Sequence, residues 1–119
     1  MNTFKTLKDI ANNSTPMFDK YVKKICERFE IGKHELFERW EDNRDCFLAN
    51  ARHTLYLLCD RDGMRISEIK RFMKHSGHMV EHSTIIKGIR KANNLMEDDN
   101  DYKRIITTIE ESILDNNAV

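Results

Sequence analysis

Proline occurs once in the 119 residues and glycine four times, so the chain has few obligatory breaks. Strand-like runs of β-branched residues are also missing. Together these absences favour an all-helical domain. The longest apolar run, Leu55–Cys59, is far too short for a membrane span, and the stretch Met1–Thr6 has no apolar signal core. Three cysteines (Cys26, Cys46, Cys59) stand far apart with no C-x-x-C pair, the pattern of reduced thiols in a soluble cytosolic protein. The glycines, at 32, 63, 77 and 88, cannot form a G-x-x-x-x-G-K-[ST] loop, which excludes an ATPase module of that type within this chain.

Catalytic and metal-binding patterns are equally scarce. No nucleophile–base arrangement emerges, and the acid pairs Asp98–Asp99 and Glu110–Glu111 read as surface charge, so no enzyme and no small-molecule substrate are expected. His75, His78 and His82 follow an H-x-x-H-x-x-x-H spacing near Cys59 that matches no common zinc framework. They are expected to be solvated loop histidines, with no metal or cofactor.

The chain carries 34% charged residues but no net charge, which argues against a generic polyanion binder. The charge is segregated, however. Residues 1–64 balance 11 basic against 11 acidic side chains; residues 65–96 hold 7 basic and 2 acidic; residues 97–119 hold 2 basic and 7 acidic. A basic segment at +5 within a neutral chain points to a defined contact patch. Its length suits one core and one domain, spanning residues 16–119 after an N-terminal short helix or linker at 1–15.

Apolar spacing predicts five to six helices. Thr15 as N-cap and Pro16 at the first helical position open a helix to about Phe29, with Phe18, Tyr21, Val22, Ile25, Cys26 and Phe29 inward and Gly32 as its stop. A short helix from Lys33 to about Trp40 turns Leu36, Phe37 and Trp40 inward, and Glu41–Asp45 is a charged loop. A third helix, Leu48 to Arg61, has Ala51, Leu55, Leu58 and Cys59 as its core face, and Asp60–Gly63 is a turn. Ser67 caps a fourth helix with Ile69, Phe72 and Met73 inside and Lys70, Arg71 and Lys74 outside. A break at His75–Val80 leads to a fifth helix through about Met96, with Ile85, Ile89, Ala92 and Met96 on one face. After an acidic turn at Glu97–Asp101, a last helix from Tyr102 presents Ile105, Ile106, Ile109, Ile113 and Leu114.

Helices four and five form a helix-turn-helix candidate. In such motifs the second helix offers its N-terminal residues to base edges while phosphate contacts fix the register. The segment Glu81-His82-Ser83-Thr84-Ile85-Ile86-Lys87-Gly88-Ile89-Arg90-Lys91-Ala92 has a polar first turn followed by basic residues. His82 and Ser83 are suited to bases, Thr84 and Lys87 to phosphates.

The stretch Ala51-Arg52-His53…Leu57…Ser67-Glu68-Ile69…His82-Ser83-Thr84-Ile85 through Arg90-Lys91 resembles the C-terminal DNA-binding domain (domain IV) of the bacterial replication initiator DnaA, a fold related to the Trp repressor. The family's Asp-His-Thr-Thr-Val hallmark is similar to Glu81-His82-Ser83-Thr84-Ile85 here, and the likeness spans about residues 20–114. It implies base contacts from Glu81, His82 and Ser83, with Ile66 and Ser67 near the bases. It also implies phosphate contacts from Thr84, Lys87, Arg52 and His53, and Arg44 of the 41–45 loop in the minor groove; Arg71 joins the phosphate set as an outward residue of helix four. Val80 stands where the family usually has arginine, Asp60 where it has lysine, Glu41, Asp42 and Asp45 dilute the loop, and the connection before helix five is longer.

The expectation is therefore an all-α, helix-turn-helix protein of DnaA-domain-IV type that binds double-stranded DNA, with DnaA-box-like duplexes as candidate targets. It would act as a standalone regulator or replication accessory, in the cytoplasm and nucleoid-associated. The rival expectation, favoured by neutral charge and acidic segments, is a module that kept the fold, lost DNA affinity and binds a protein partner.

Overall fold

The computed structural model describes the backbone of residues 14–37 and 46–118, with the side chains of 17–37 and 48–113. The expected helix within residues 1–13, Trp40, the 41–45 loop with Arg44, and the Leu114 side chain lie outside the described residues. Within them the chain is all-helical: α1 Ser14–Phe29, α2 Lys33–Phe37, α3 Cys46–Arg61, α4 Ile66–His75, α5 His82–Asp98 and α6 Asn100–Ala118, with no strand. No described helix is long and apolar enough to cross a membrane.

Helix α3 is the hub, and all five other helices pack on it. Its sequence explains why. From Thr54 to Cys59 every residue is buried, so α3 has no solvent side along this stretch. The expected stripe of Ala51, Leu55, Leu58 and Cys59 is part of a wider surface that includes Leu48, Tyr56 and Leu57. Phe18 of α1 lies 6.2 Å from the Phe37 ring of α2 and 5.1 Å from the Phe72 ring of α4, joining three helices through aromatic contacts.

One buried polar pair fastens α3 to α6. Thr54 Oγ1 lies 2.7 Å from the Asn50 carbonyl and 2.6 Å from the Tyr102 hydroxyl. A carbonyl only accepts, so the threonine's single proton goes to Asn50, and Tyr102 donates to Thr54. Burial holds the Tyr102 phenol above its usual range, keeping that donor proton in place. Farther along, Arg61 makes a two-nitrogen contact with Glu110 at 2.8 and 3.1 Å, a second tie between these helices.

The helix ends differ from expectation in instructive ways. Helix α1 begins at Ser14, so Thr15 lies inside its first turn instead of capping it, and Pro16 follows in that turn, two residues past the helix start. It is stopped by Glu30, at φ 56°, with the Ile31 amide reaching back to the Cys26 carbonyl at 3.0 Å. Gly32 instead starts α2: its carbonyl accepts the amides of Glu35 and Leu36, while its own amide donates to the Glu35 carboxylate at 2.8 Å. Helix α3 starts at Cys46, two residues ahead of Leu48. The cap of α4 is Arg65, whose amide donates to Glu68 at 3.0 Å; Ser67 lies inside the first turn.

The expected acidic turn at 97–101 contracts to Asp99. Helix α5 runs to Asp98, and the Asp99 side chain accepts the amides of Asp101 and Tyr102 at 2.9 and 3.2 Å, capping α6 at once. At the end of α4, Gly77 adopts φ +96° and the His78 amide returns to the Met73 carbonyl at 2.9 Å, a left-handed cap that glycine forms without steric cost.

Helix α5 crosses α3 at Gly88. A Cβ added there would stand 2.7 Å from His53 Cδ2 and 2.9 Å from Tyr56 Cδ2. Glycine within a helix costs about 1 kcal/mol relative to alanine; here the contact between the helices requires it. Gly88→Ala should therefore gain helix propensity yet lose about 1–2 kcal/mol net from overpacking. Urea unfolding would register this as a lower midpoint at unchanged slope; a variant at least as stable as the parent would contradict the crossing.

Candidate nucleic-acid interface

The α4–α5 unit has a six-residue connection, Ser76–Glu81. Val80 is buried in it and anchors the chain just before α5. Ile85, Gly88, Ile89 and Ala92 then carry the inner face of α5, leaving Glu81, His82, Ser83, Thr84, Lys87, Arg90 and Lys91 exposed. The same spacing that builds the core thus presents the whole polar first turn to solvent.

Glu81 is the N-cap of α5 by backbone geometry, and its carbonyl accepts the amides of Thr84 and Ile85 at 3.1 Å each. Its carboxylate makes no cap hydrogen bond and instead lies 3.8 Å from Lys70 Nζ of α4, an exposed pair that adds little stability. The first-turn amides of His82 and Ser83 therefore point along the helix axis without an intrahelical acceptor, where the helix dipole favours an anion.

Helix α4 borders this surface. Arg71 and Lys74 are exposed, and the Arg71 guanidinium stands 5.6 Å over the Phe72 ring, holding its charge at the protein surface. Ser67 is exposed in the first turn of α4. Ile66 is half-buried and packs against the core, so less of it reaches the surface than a base-edge residue would present.

On the other flank, α3 supplies Arg52 and His53. Both are half-buried. Arg52 Nε donates to the Leu36 carbonyl at 2.6 Å, and His78 Nδ1 meets the next carbonyl, Phe37, at 3.1 Å. Because that oxygen only accepts, His78 carries its proton on Nδ1. Two successive carbonyls at the end of α2 are thus tied to α3 and to the α4–α5 connection. His78 is consequently no solvated loop histidine, unlike His75 and His82, which are exposed. Nothing in its sequence neighbourhood marks this role, since its partner lies 41 residues away.

The interior imidazoles are biased toward neutrality. Burial lowers the His53 pKa, helped by Lys91 and Arg52; burial and then Arg52 lower that of His78, against its Phe37 hydrogen bond. A neutral His53 can meet a phosphate as a hydrogen-bond donor but supplies no charge. Burial also raises the thiols of Cys59 and Cys26, which disfavours the thiolate form of both. Among the described residues no three His, Cys, Asp or Glu side chains converge in a way that would hold a metal ion. Two open hollows of about 250 and 260 Å³ lie between α1 and α6, with Arg28 and Thr108 in both walls and no residue of α4 or α5.

The predicted residues thus fall in three groups. Glu81, His82, Ser83, Thr84 and Lys87 share the outer side of one helix half; Arg71, Ser67 and Ile66 adjoin it on α4; Arg52 and His53 flank it on α3. Arg44 lies outside the described residues. No family model matches the chain, and neither curated proteins nor solved structures give a significant match.

The histidine shifts fix a pH dependence. With folded-state values below the unfolded value, the unfolded chain takes up protons first, so stability is full above the unfolded value and falls as pH drops through about 6.5. His78→Asn keeps a donor for Phe37 but removes the titration. Urea midpoints at about pH 7.5 and about pH 5.5 should differ less in this variant than in the parent; an identical difference would show that His78 does not contribute.

Proposed function

We propose that this chain binds double-stranded DNA through a helix-turn-helix formed by α4, the 76–81 connection and α5. The observation that carries the reading is the division of α5: one face locked onto α3, the other offering an open, polar, uncapped first turn followed by cations. In this reading the N-terminal half of α5 enters the major groove. His82 and Ser83 meet base edges, and Glu81 accepts from a cytosine amino group once released from Lys70. Thr84, Lys87 and Arg71 contact phosphates, with Arg52 and His53 as flanking donors. Ile66 and Ser67 approach the groove from α4.

The resemblance to DnaA domain IV, carried by Glu81-His82-Ser83-Thr84-Ile85 and Arg90-Lys91, supports the same reading and suggests DnaA-box-like duplexes as first targets. The role that follows is a sequence-specific regulator or replication accessory of the nucleoid. A second reading, a protein-interaction module on the same scaffold, is favoured by the neutral net charge and by the Lys70–Glu81 contact, which offsets charge at the helix tip.

Fluorescence anisotropy with DnaA-box and random duplexes over a salt series separates the two. DNA binding predicts a log–log salt slope of about −0.9 for each phosphate contacted. Lys87→Ala should weaken all duplexes alike and make the slope shallower by about one phosphate. His82→Ala should cost roughly 1–3 kcal/mol on the preferred duplex and little on random sequence. Absence of binding at low salt would sink the DNA reading; identical effects of the two substitutions would undo the assignment of roles.

A further inference from the structure

Among the described residues two large apolar side chains are exposed, Met79 at 72% and Ile86 at 44%. Single exposed hydrophobics are common on protein surfaces and need no explanation one at a time. Their location carries information here: Met79 lies in the connection and Ile86 in the second turn of α5, both in the unit assigned to the groove. The remaining described surface presents no other large hydrophobic at comparable exposure.

Ile86 is not required for anchoring. The inner face of α5 is filled by Ile85 and Ile89, its near neighbours in sequence, together with Gly88 and Ala92. Ile86 lies one turn after His82 and Ser83 and one turn before Arg90, so it shares a strip of the helix surface with residues that are all exposed. A branched aliphatic side chain has no hydrogen-bonding atom and cannot read a donor or acceptor. In the major groove the apolar feature a protein can recognise is the C5-methyl group of thymine.

We propose that Ile86 reads a thymine methyl in the major groove, adding an apolar, thymine-selective contact to the polar readout by His82 and Ser83. This inference rests on the DNA-binding reading above. Contact between Ile86 and the methyl removes both from water, and burial of one methyl group corresponds to about a fourfold gain in affinity. Because the contact involves no phosphate, it leaves the salt dependence unchanged.

The test uses duplexes that the protein itself enriches from random sequence, copied in parallel with thymine or with uracil, which differs only by lacking the methyl. The parent chain should bind the thymine copy about fourfold more tightly. Ile86→Ala should bind both copies equally, at unchanged melting temperature and unchanged salt slope. Equal affinity of the parent for both copies overturns this inference alone and leaves Ile86 and Met79 to a protein partner. Retained discrimination in Ile86→Ala also overturns it, assigning the methyl to another residue. Failure to bind either copy overturns the DNA reading and this inference with it.

Discussion

At Gly88 the backbone of α5 approaches α3 so closely that a methyl group there would press on His53 and Tyr56, at 2.7 and 2.9 Å. Everything distinctive about the candidate interface depends on this approach. It sets the depth at which Ile85, Ile89 and Ala92 enter the core, and hence which side of α5 remains in water. It is also where His53 loses solvent, which keeps its imidazole neutral beside Lys91 and Arg52. Interiors pack densely enough that a single methylene is felt, so a crossing of this kind has one low-energy geometry.

Helix α3 makes that geometry stiff. Buried throughout Thr54–Cys59, it packs against all five other helices and is tied to α6 by the buried Thr54–Tyr102 hydrogen bond. The end of α2 is in turn held by Arg52 and His78, so the connection leading into α5 is fixed at its start and, through buried Val80, at its end. A rigid support with an exposed polar tip is what groove reading needs, because base-edge hydrogen bonds tolerate little misplacement. Electrostatics follows the same division. The segment 65–96 carries a local excess of +5, balanced by the acids of 97–119, so the positive charge is concentrated in one segment of a neutral chain.

Much of this was legible in the residues. The stripes of α1, α4 and α5 follow the helical period cleanly, and Phe18, Ile25, Ile69, Met73 and Ile85 are buried as their spacing requires. The exposed run Glu81–Thr84 was readable for the same reason. Capping was less legible, because several residues can stop a helix and only tertiary contacts choose among them. Glu30 takes the left-handed position although glycine stands two residues on, and Glu68 closes the start of α4 where Ser67 looked the better cap. The continuous burial of Thr54–Cys59 is also wider than the stripe Ala51, Leu55, Leu58 and Cys59 indicates, because Tyr102 covers Thr54 and the Gly88 crossing covers Tyr56. His78 is the clearest case: its carbonyl partner is distant in sequence, and no local pattern encodes it.

The outward side of the N-terminal half of α5, held by the Gly88 crossing, is the surface proposed to face DNA. Amide chemical shifts followed by NMR during titration with a short duplex test it most directly. Binding through this surface should perturb Ile66–Arg71, Met79–Lys91 and the flanking Arg52 and His53 most strongly, with α1 and the α1–α6 hollows unaffected. Perturbations centred on α1 and α6, or none at low salt, would contradict it.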